Sequence, residues 1–202
     1  MVVSSKLQII QDHFEQNITL DSNDNRIFTY LVLPETDLQV KLNVNVLDNS
    51  ALELKIIVVN VSSNDINIES NVNVAKDNNN CKVKMLCYGM NKSKTKLVSN
   101  LNVEATTKNN HTNQMITGIL LSPNAKIIGE PNLQINALNV YAKHSLNIGT
   151  LDKAEIFYLM SKKIPLKETK QILIHAYLIE MLKELDESQK TLCLQKIHER
   201  ID

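Results

Sequence analysis

The chain has 202 residues, 43% of them apolar, so it is long enough to bury the core of one large domain or of one domain with an appendage. Its 22 basic residues are balanced by 22 acidic ones, which excludes the global attraction to nucleic acid that a strongly basic protein has. No apolar run approaches the roughly 18 residues of a membrane-spanning helix. The N-terminal sequence MVVSSKLQIIQDHFEQ lacks the pattern of a secretory signal, so we expect a cytoplasmic protein without nucleic-acid or membrane partners.

The first predicted elements in chain order are strands, in which apolar residues alternate with Asn, Lys, Glu or Gln. The alternation is found in segments 38–47, 51–59, 66–70, 71–75, 82–86, 97–105 and 133–140, and again in the residues just before Gly149. Because Asn and Lys are weak strand formers, burial of the inward Val, Leu and Ile side chains must stabilise these strands. We therefore expect an all-β domain over residues 1–149.

Asparagine is the residue expected to form the turns between these strands. Glycine and proline number only four each, which is few for an all-β chain. Asparagine tolerates the left-handed backbone conformation, and its side chain can bond its own main chain. We expect turns at the clusters DSNDN, DNS, SSND, DNNN and KNNHTN.

Two architectures fit many short strands at this spacing. One is an antiparallel sandwich, and the other is a solenoid in which each coil stacks on the one before it. No strict repeat is visible, but the Asn-Gly and Asp-Gly signals of tight hairpins are absent as well. The alternation by itself leaves both architectures open.

Three helices are predicted after the strands. Asp152, followed three residues later by Glu155, forms a capping-box pattern and begins the first helix. Pro165 begins the second helix, which continues to about Leu185, because a missing N–H matters least in the first turn. Asp186 caps the third helix.

The second of these helices is unusually apolar. Only His175 and Glu180 are polar within residues 172–182, so apolar side chains cover more than the single stripe of a surface helix. Such a helix needs neighbours on two sides. Both can lie within the helical segment 150–202 and the adjoining domain, or one can be a partner protein.

The sequence carries no signature of catalysis. The phosphate-cradling, dinucleotide-binding, Gly-x-Ser-x-Gly and His-Glu-x-x-His motifs do not occur. The carboxylates are scattered beside lysines, as on a solvated face. Cys81, Cys87 and Cys193 form no C-x-x-C pair, which is typical of a reduced compartment. We expect no enzymatic activity.

His144 differs from the other four histidines in its setting. It lies in the last strand pattern, just ahead of the change from strand to helix. An imidazole at such a junction can present a nitrogen to iron or to another borderline metal at neutral pH. From the pattern alone, an ordinary strand residue and a metal ligand both remain open.

The order of residues in segment 114–182 resembles the C-terminal part of the SufB/SufD family, whose members belong to the SUF iron–sulfur cluster assembly system. The matching pieces are the QM and LLS of 114–122, the P-x-L-x-I of 131–135, the K-H and G-x-L-D of 143–152, and the FYL-x-S-K of 157–162 followed by Ile164. They follow the family's order and spacing. The family's extended N-terminal helical region has no counterpart in this sequence, so the resemblance is to a shortened member.

The resemblance implies a right-handed parallel β-helix (a β-solenoid) followed by about three α-helices. It also implies a non-catalytic scaffold subunit. SufB and SufD pair through the β-helix, and the C-terminal helices of each receive SufC, an ABC-type ATPase. We therefore expect a SufB-like partner in a heterodimer, or a second copy in a homodimer, together with a SufC-like ATPase.

The resemblance also gives His144 a role. Members of the SufD branch have a histidine in an HG pair at the SufB–SufD interface, where iron or the nascent cluster is handled, and His144 takes this place with Ser145 in place of glycine. The scaffold cysteine of the SufB branch corresponds to Ile116, which makes the chain SufD-like. We expect no permanently bound cofactor, and His144 as a ligand of transient iron or of an iron–sulfur cluster shared with a partner.

The apolar helices are the expected ATPase-docking surface. The candidate docking residues are Phe157, Tyr158, Leu166, Ile172, Leu173, Tyr177 and Leu178. An alternative function is a β-solenoid or β-sandwich module that binds a ligand or carbohydrate, but only 4% of residues are aromatic and there is no tryptophan for a sugar platform. A β-helix lyase or hydrolase would need clustered carboxylates, which the sequence does not show.

Overall fold

The computed structural model describes residues 4–201, which form strands followed by helices. The strands are β1 Ser4–Ile10, β2 Phe14–Leu20, β3 Asn25–Val32, β4 Leu38–Val46, β5 Ala51–Asn60, β6 Asp65–Val74, β7 Asn80–Gly89, β8 Lys94–Val103, β9 Asn110–Leu120, β10 Lys126–Ile135 and β11 Val140–Thr150. The helices are α1 Lys153–Ser161, α2 Leu166–Leu182 and α3 Glu187–Ile201.

The strands form two parallel sheets that stack coil upon coil. Odd-numbered strands make sheet A in the order β1-β3-β5-β7-β9-β11, and even-numbered strands make sheet B in the order β10-β8-β6-β4-β2. Each coil therefore gives one strand to each sheet, and every strand pair is parallel. This arrangement confirms the predicted parallel β-solenoid with three C-terminal helices and excludes the antiparallel sandwich.

The coils grow longer along the chain, which explains why no strict repeat is visible in the sequence. On the outer face of sheet B, the amides of Asn17, Asn43, Asn71, Asn100 and Asn132 form one ladder of hydrogen bonds. Successive rungs are separated by 26, 28, 29 and 32 residues. A search for a fixed period cannot detect a repeat whose length changes at each coil.

Two strand predictions are wrong in detail. Segments 66–70 and 71–75 form the single strand β6, since residues 65–74 pair without interruption with β8. Segment 133–140 instead joins the end of β10 to the start of β11, because Asn139 adopts a left-handed conformation (φ 59°) and turns the chain. Strands β1, β2, β3 and β9 fall outside the segments that were predicted.

Asparagine forms the turns, as predicted. Asn23, Asn49, Asn78 and Asn109, from four of the five predicted clusters, all have positive φ, whereas none of the glycines does. The amide of Asn78 also donates to Asn49 and accepts from Asn109, at 3.1 and 3.2 Å. Corners of successive coils are therefore fixed both by backbone conformation and by side-chain stacking.

The helices cover the outer face of sheet A at the C-terminal ends of its strands. Strand β5 alternates at its start but is buried on both faces from Leu54 onward, because its outward residues meet α2 and α3. Buried residues of α2 follow one face of the helix, and they are Thr169, Leu173, Ile174, Leu178, Met181 and Leu182. The hydroxyl of Tyr88 donates to the carbonyl of Ile174 at 2.9 Å. Parallel strands covered by helices on one face commonly have such long apolar runs.

The helix caps are those that the sequence predicts. The Asp152 carboxylate accepts from the backbone N–H of Ala154 at 2.7 Å, and the Asp186 carboxylate accepts from the N–H of Gln189 at 2.8 Å. Helix α2 ends at Leu182, slightly before the predicted Leu185. The carboxylates at the N-termini of α1 and α3 satisfy free backbone donors and interact favourably with the helix dipole, whereas α2 begins after Pro165 without a side-chain cap.

Candidate functional site at the open end of the solenoid

Strands β10 and β11 form the last coil and leave one end of the solenoid open. Within residues 4–201, β11 pairs with β9 alone and β10 pairs with β8 alone. The far edge of each strand has no neighbouring strand in the described chain. A strand edge of this kind is a template for pairing with another chain.

The open end is apolar. Of the exposed apolar residues of the last coil, Ile135 and Leu146 lie on the inward face, where a further coil would cover them, and Leu138 is 87% exposed at the turn between the two strands. The large exposed apolar side chains of this end are Ile128, Ile135, Leu138, Tyr141 and Leu146. A cluster of exposed apolar groups at a strand edge is typical of a protein–protein interface.

His144 lies on the inward face of β11. Its paired residue on β9 is Gln114, and the column below continues through Val83 and Leu54 in the solenoid core. Residues paired in register share a face, and Ile148, which has the same parity as His144, packs against the core. His144 is nevertheless exposed, because no further coil of the described chain covers it.

Polar groups replace apolar ones as this column reaches the open end. Gln114 is fully buried, and its amide nitrogen donates to the carbonyl of Ser99, to the hydroxyl of Ser99 and to the carbonyl of Asn132, at 2.9, 2.9 and 3.2 Å. Thr112, two residues earlier on the same face, is also buried. An amide and a hydroxyl therefore lie in the core directly next to the exposed strand.

Ser145 and Ile116 occupy ordinary strand positions. Ser145 pairs with Met115 on the outer face of sheet A, and it is not among the residues with positive φ. Glycine is therefore not required for the backbone conformation at this place. Ile116, to which the resemblance assigns the place of the SufB-branch cysteine, is buried in the core, and its aliphatic side chain has no atom that can bind a metal.

The predicted docking residues divide between two faces of the helices. Exposed ones are Phe157, Tyr158, Leu166, Ile172 and Tyr177. Leu173 and Leu178 are buried against sheet A, so these two residues do not belong to a docking surface. They were included because the apolar run of α2 does not by itself distinguish its two faces.

Two exposed residues of this surface were missed. Ile179 is 61% exposed, and Met160 is also exposed. The sequence did hold a signal for Ile179, because Ile172 and Ile179 are seven residues apart and so lie on the same face of an α-helix. We call the set Phe157, Tyr158, Met160, Leu166, Ile172, Tyr177 and Ile179 the helical surface.

The described part of the chain contains neither a cluster of metal-binding side chains nor a membrane-spanning helix. Among the described residues, no three His, Cys, Asp or Glu side chains lie close enough together to hold a metal ion. Within residues 4–201, no helix is long and apolar enough to cross a membrane.

The fold and the open end define a class: a parallel β-solenoid with an unpaired last coil and a helical layer on one sheet. Residues 23–177 match the family described as SUF system FeS cluster assembly, SufBD core domain. The match covers more than half of the chain, and the chain belongs to this family.

Curated relatives agree with this assignment. The iron-sulfur cluster assembly protein SufD of Escherichia coli (strain K12) is 32% identical over 84 residues, which are 41% of this chain and 20% of that protein. SufD of Bacillus subtilis (strain 168) is 33% identical over 67 residues, 33% of this chain and 15% of that protein. The SufBD family protein slr0076 of Synechocystis sp. (strain ATCC 27184 / PCC 6803 / Kazusa) is 35% identical over 72 residues, 36% of this chain and 16% of that protein. Each match therefore spans at most a fifth of the relative's length.

Proposed function

We propose that the chain is a non-catalytic scaffold subunit of a cytoplasmic iron–sulfur cluster assembly complex. It pairs through the open end of its solenoid with a SufB-like chain, or with a second copy, and it receives a SufC-like ABC ATPase on its helical surface. The observation that carries this proposal is the exposed edge of β11, where His144 lies between Ala142 and Leu146 on the inward face.

The pairing step uses the backbone as well as the side chains. A strand added to the free edge of β11 takes up main-chain donors and acceptors, which is a common mode of association. Inward residues such as Leu146 and Ile135 then enter a continuous core with the partner. Burial of one such side chain contributes about 1.5–3 kcal/mol, so a few of them can stabilise a dimer.

Iron, or the nascent cluster, is the cargo of this interface. His144 supplies one neutral imidazole nitrogen, whereas iron sites use several ligands. In our proposal the partner provides the remaining ligands, so the metal is held only by the assembled pair. An inward-facing histidine at the junction is suited to this because pairing removes it from solvent.

The helical surface is proposed to receive the ATPase. Phe157 is 75% exposed on α1, none of whose residues is fully buried, and Ile179 is 61% exposed on α2, whose other face packs on sheet A. Aromatic and aliphatic side chains exposed together are the usual anchors of an interface. Movement of the ATPase would reach the solenoid through α2, which packs on sheet A.

The pairing is tested with one charged substitution at the open end. Leu146→Asp places a carboxylate in the proposed interface, and Leu192→Asp on α3 is the matched control because Leu192 is similarly exposed (47% and 40%). We expect Leu146→Asp to abolish co-purification with the cognate SufB-like chain, and Leu192→Asp to leave it intact. Light scattering of the chain alone distinguishes a homodimer from a monomer. Pairing that survives Leu146→Asp would contradict the proposed interface.

The cargo role is tested separately with His144→Ala. Because His144 is exposed, this variant should fold normally and still pair, yet form less cluster when the complex is supplied with ferrous iron, sulfide and ATP. His175→Ala, on α2, is the control. An unchanged cluster yield in His144→Ala removes the histidine from the site.

ATPase docking is tested on the helical surface. Ile179→Asp should weaken binding of the cognate SufC-like ATPase at least tenfold while pairing through the solenoid is retained. Leu192→Asp again serves as control. Equal binding by the two variants would show that the ATPase uses another surface.

A further inference from the structure

Two buried polar atoms beneath β11 have no hydrogen-bond partner among the described residues. They are the amide oxygen Oε1 of Gln114 and the hydroxyl oxygen Oγ1 of Thr112. Both residues lie on the inward face of β9, and they pair with His144 and Ala142 of β11. Leaving a buried polar group without a partner destabilises the fold, so such a group calls for an explanation.

The orientation of the Gln114 amide is fixed by its surroundings. Its nitrogen Nε2 faces two backbone carbonyls, of Ser99 and Asn132, which can only accept hydrogen bonds. If the nitrogen and the oxygen of the amide were exchanged, the amide oxygen would face both carbonyl oxygens, and no hydrogen bond could form at either. The oxygen Oε1 is therefore held as a fixed acceptor, and its position does not depend on an arbitrary assignment.

The column offers Oε1 one polar neighbour. Val83 lies below Gln114 and cannot donate, whereas His144 lies above it on the exposed strand. In a parallel sheet, neighbouring strands are about 4.8 Å apart, so a ring N–H of His144 can reach Oε1 after a side-chain rotation. Ala142, above Thr112, has no side-chain donor or acceptor.

We propose that Gln114 is a positioning residue for His144: Oε1 of Gln114 accepts a hydrogen bond from one ring nitrogen of His144 and thereby sets the tautomer in which the other nitrogen presents its lone pair to iron. The inference rests on the proposed function in so far as it concerns iron. A metal-binding histidine generally donates its second ring N–H to an oxygen acceptor, which fixes the orientation of the ring. Gln114 is neutral and buried, so it orients the ring without adding charge to the site.

The contact is tested in the chain alone by nitrogen-15 NMR of the histidine rings, with His144 identified from the spectrum of His144→Ala. We expect one tautomer of His144 to dominate in the wild-type chain. Gln114→Met removes the acceptor at similar volume, and it should bring the two ring-nitrogen shifts of His144 closer together. Thr112→Val, at the neighbouring buried position, is the matched control and should leave them unchanged.

The test remains decisive even if Gln114→Met does not fold, a case that circular dichroism identifies. The NMR spectrum of the wild-type chain then decides: a His144 ring N–H that exchanges freely with water overturns the inference. Unchanged His144 shifts in a folded Gln114→Met variant overturn it as well.

The consequence for iron is tested in the assembled complex. We expect Gln114→Met to lower the cluster yield, with His144→Ala/Gln114→Met losing no more than His144→Ala alone, because the two residues act through one ring. Additive losses would overturn the positioning role. If instead His144→Ala does not affect the yield while Gln114→Met moves the ring shifts, the cargo role fails and the contact stands.

Discussion

Lys55 and Glu184 form an ion pair that joins the middle of sheet A to the segment after α2. Lys55 lies on the outer face of β5 and its side chain is completely buried, and its ammonium group also donates to the carbonyl of Glu180 at 3.3 Å. Glu53 lies 3.6 Å away as a second carboxylate. A buried ammonium needs such partners because transfer of an unpaired charge from water is costly.

Removing Glu184 should therefore destabilise the chain more than removing the pair. We expect Glu184→Ala to lower the free energy of unfolding by about 2 kcal/mol, which is less than the roughly 3–5 kcal/mol typical of a broken buried pair, because Glu184 is partly exposed and Glu53 remains. Lys55→Met/Glu184→Ala should recover part of this loss, since no charge is left buried. Urea denaturation measures both values. A double variant less stable than Glu184→Ala would contradict this account.

The neighbouring pair of Lys84 and Glu180 should make the docking of α2 depend on pH. The hydrogen bond from Lys84, at 2.8 Å, lowers the pKa of Glu180 below its ordinary value of 4.5. Burial lowers the pKa of Lys84, but hydrogen bonds to Glu180 and Glu53 outweigh burial, so the pKa ends above its ordinary value of 10.5.

The two pKa shifts affect stability at opposite ends of the pH range. A lowered carboxyl pKa gives stability that is present above pH 4.5 and is lost as the pH falls, whereas a raised lysine pKa gives stability that is lost above pH 10.5. We expect Glu180→Gln to melt at a lower temperature than wild type at pH 7, and we expect this difference to shrink as the pH falls below 4.5 towards the lowered pKa of Glu180. Calorimetry across this range, with Glu199→Gln on α3 as control, measures the difference. A difference in melting temperature that does not shrink as the pH is lowered would exclude the charge of Glu180 as its cause.

The three thiols should be unreactive in the folded chain. Burial raises the pKa of Cys81 and of Cys87 to about 12 and that of Cys193 to about 11. At pH 8 almost no thiolate is present, and reagents such as Ellman's reagent attack the thiolate. We expect no rapid reaction in buffer and three equivalents of released thiolate in guanidinium chloride. One rapidly reacting equivalent in the folded state would contradict the packing of that cysteine.

The contribution of Asn78 to stability should have a backbone part and a side-chain part that two substitutions can separate. Asn78→Gly keeps the positive φ and removes the amide ladder to Asn49 and Asn109, whereas Asn78→Ala loses both. We expect Asn78→Ala to be about 1–2 kcal/mol less stable than Asn78→Gly, which is the cost of a left-handed conformation for a residue with a Cβ. Asn147→Ala, on exposed β11, is the control. Equal free energies of unfolding for Asn78→Ala and Asn78→Gly would mean that the left-handed conformation at this position has no energetic cost for alanine.

The elements that were predicted best have local causes. The caps at Asp152 and Asp186 depend on a carboxylate and the next few backbone N–H groups, and the turn at Asn78 depends on one residue's conformation. Such signals lie within a few residues and can be read from the sequence. The resemblance to the SufB/SufD family then chose between two architectures that the alternation of residues could not separate.

The features that were missed depend on distant contacts. Strand β9 was not predicted, because its inward Thr112 and Gln114 are polar and interrupt the apolar alternation. Leu173 and Leu178 were assigned to a partner because only the position of sheet A shows which face of α2 is covered. The register that sets Gln114 beside His144 spans 30 residues of chain, with no local pattern to reveal it.

The tethers between α2 and sheet A also have a mechanical consequence. Tyr88 forms a hydrogen bond with Ile174, Lys84 an ion pair with Glu180, and Lys55 an ion pair with Glu184 just beyond the end of α2. These contacts come from both β5 and β7. A force applied to the outer side of α2 is therefore shared between two neighbouring strands of sheet A. We expect a displacement of the helix to be transmitted to more than one coil of the solenoid.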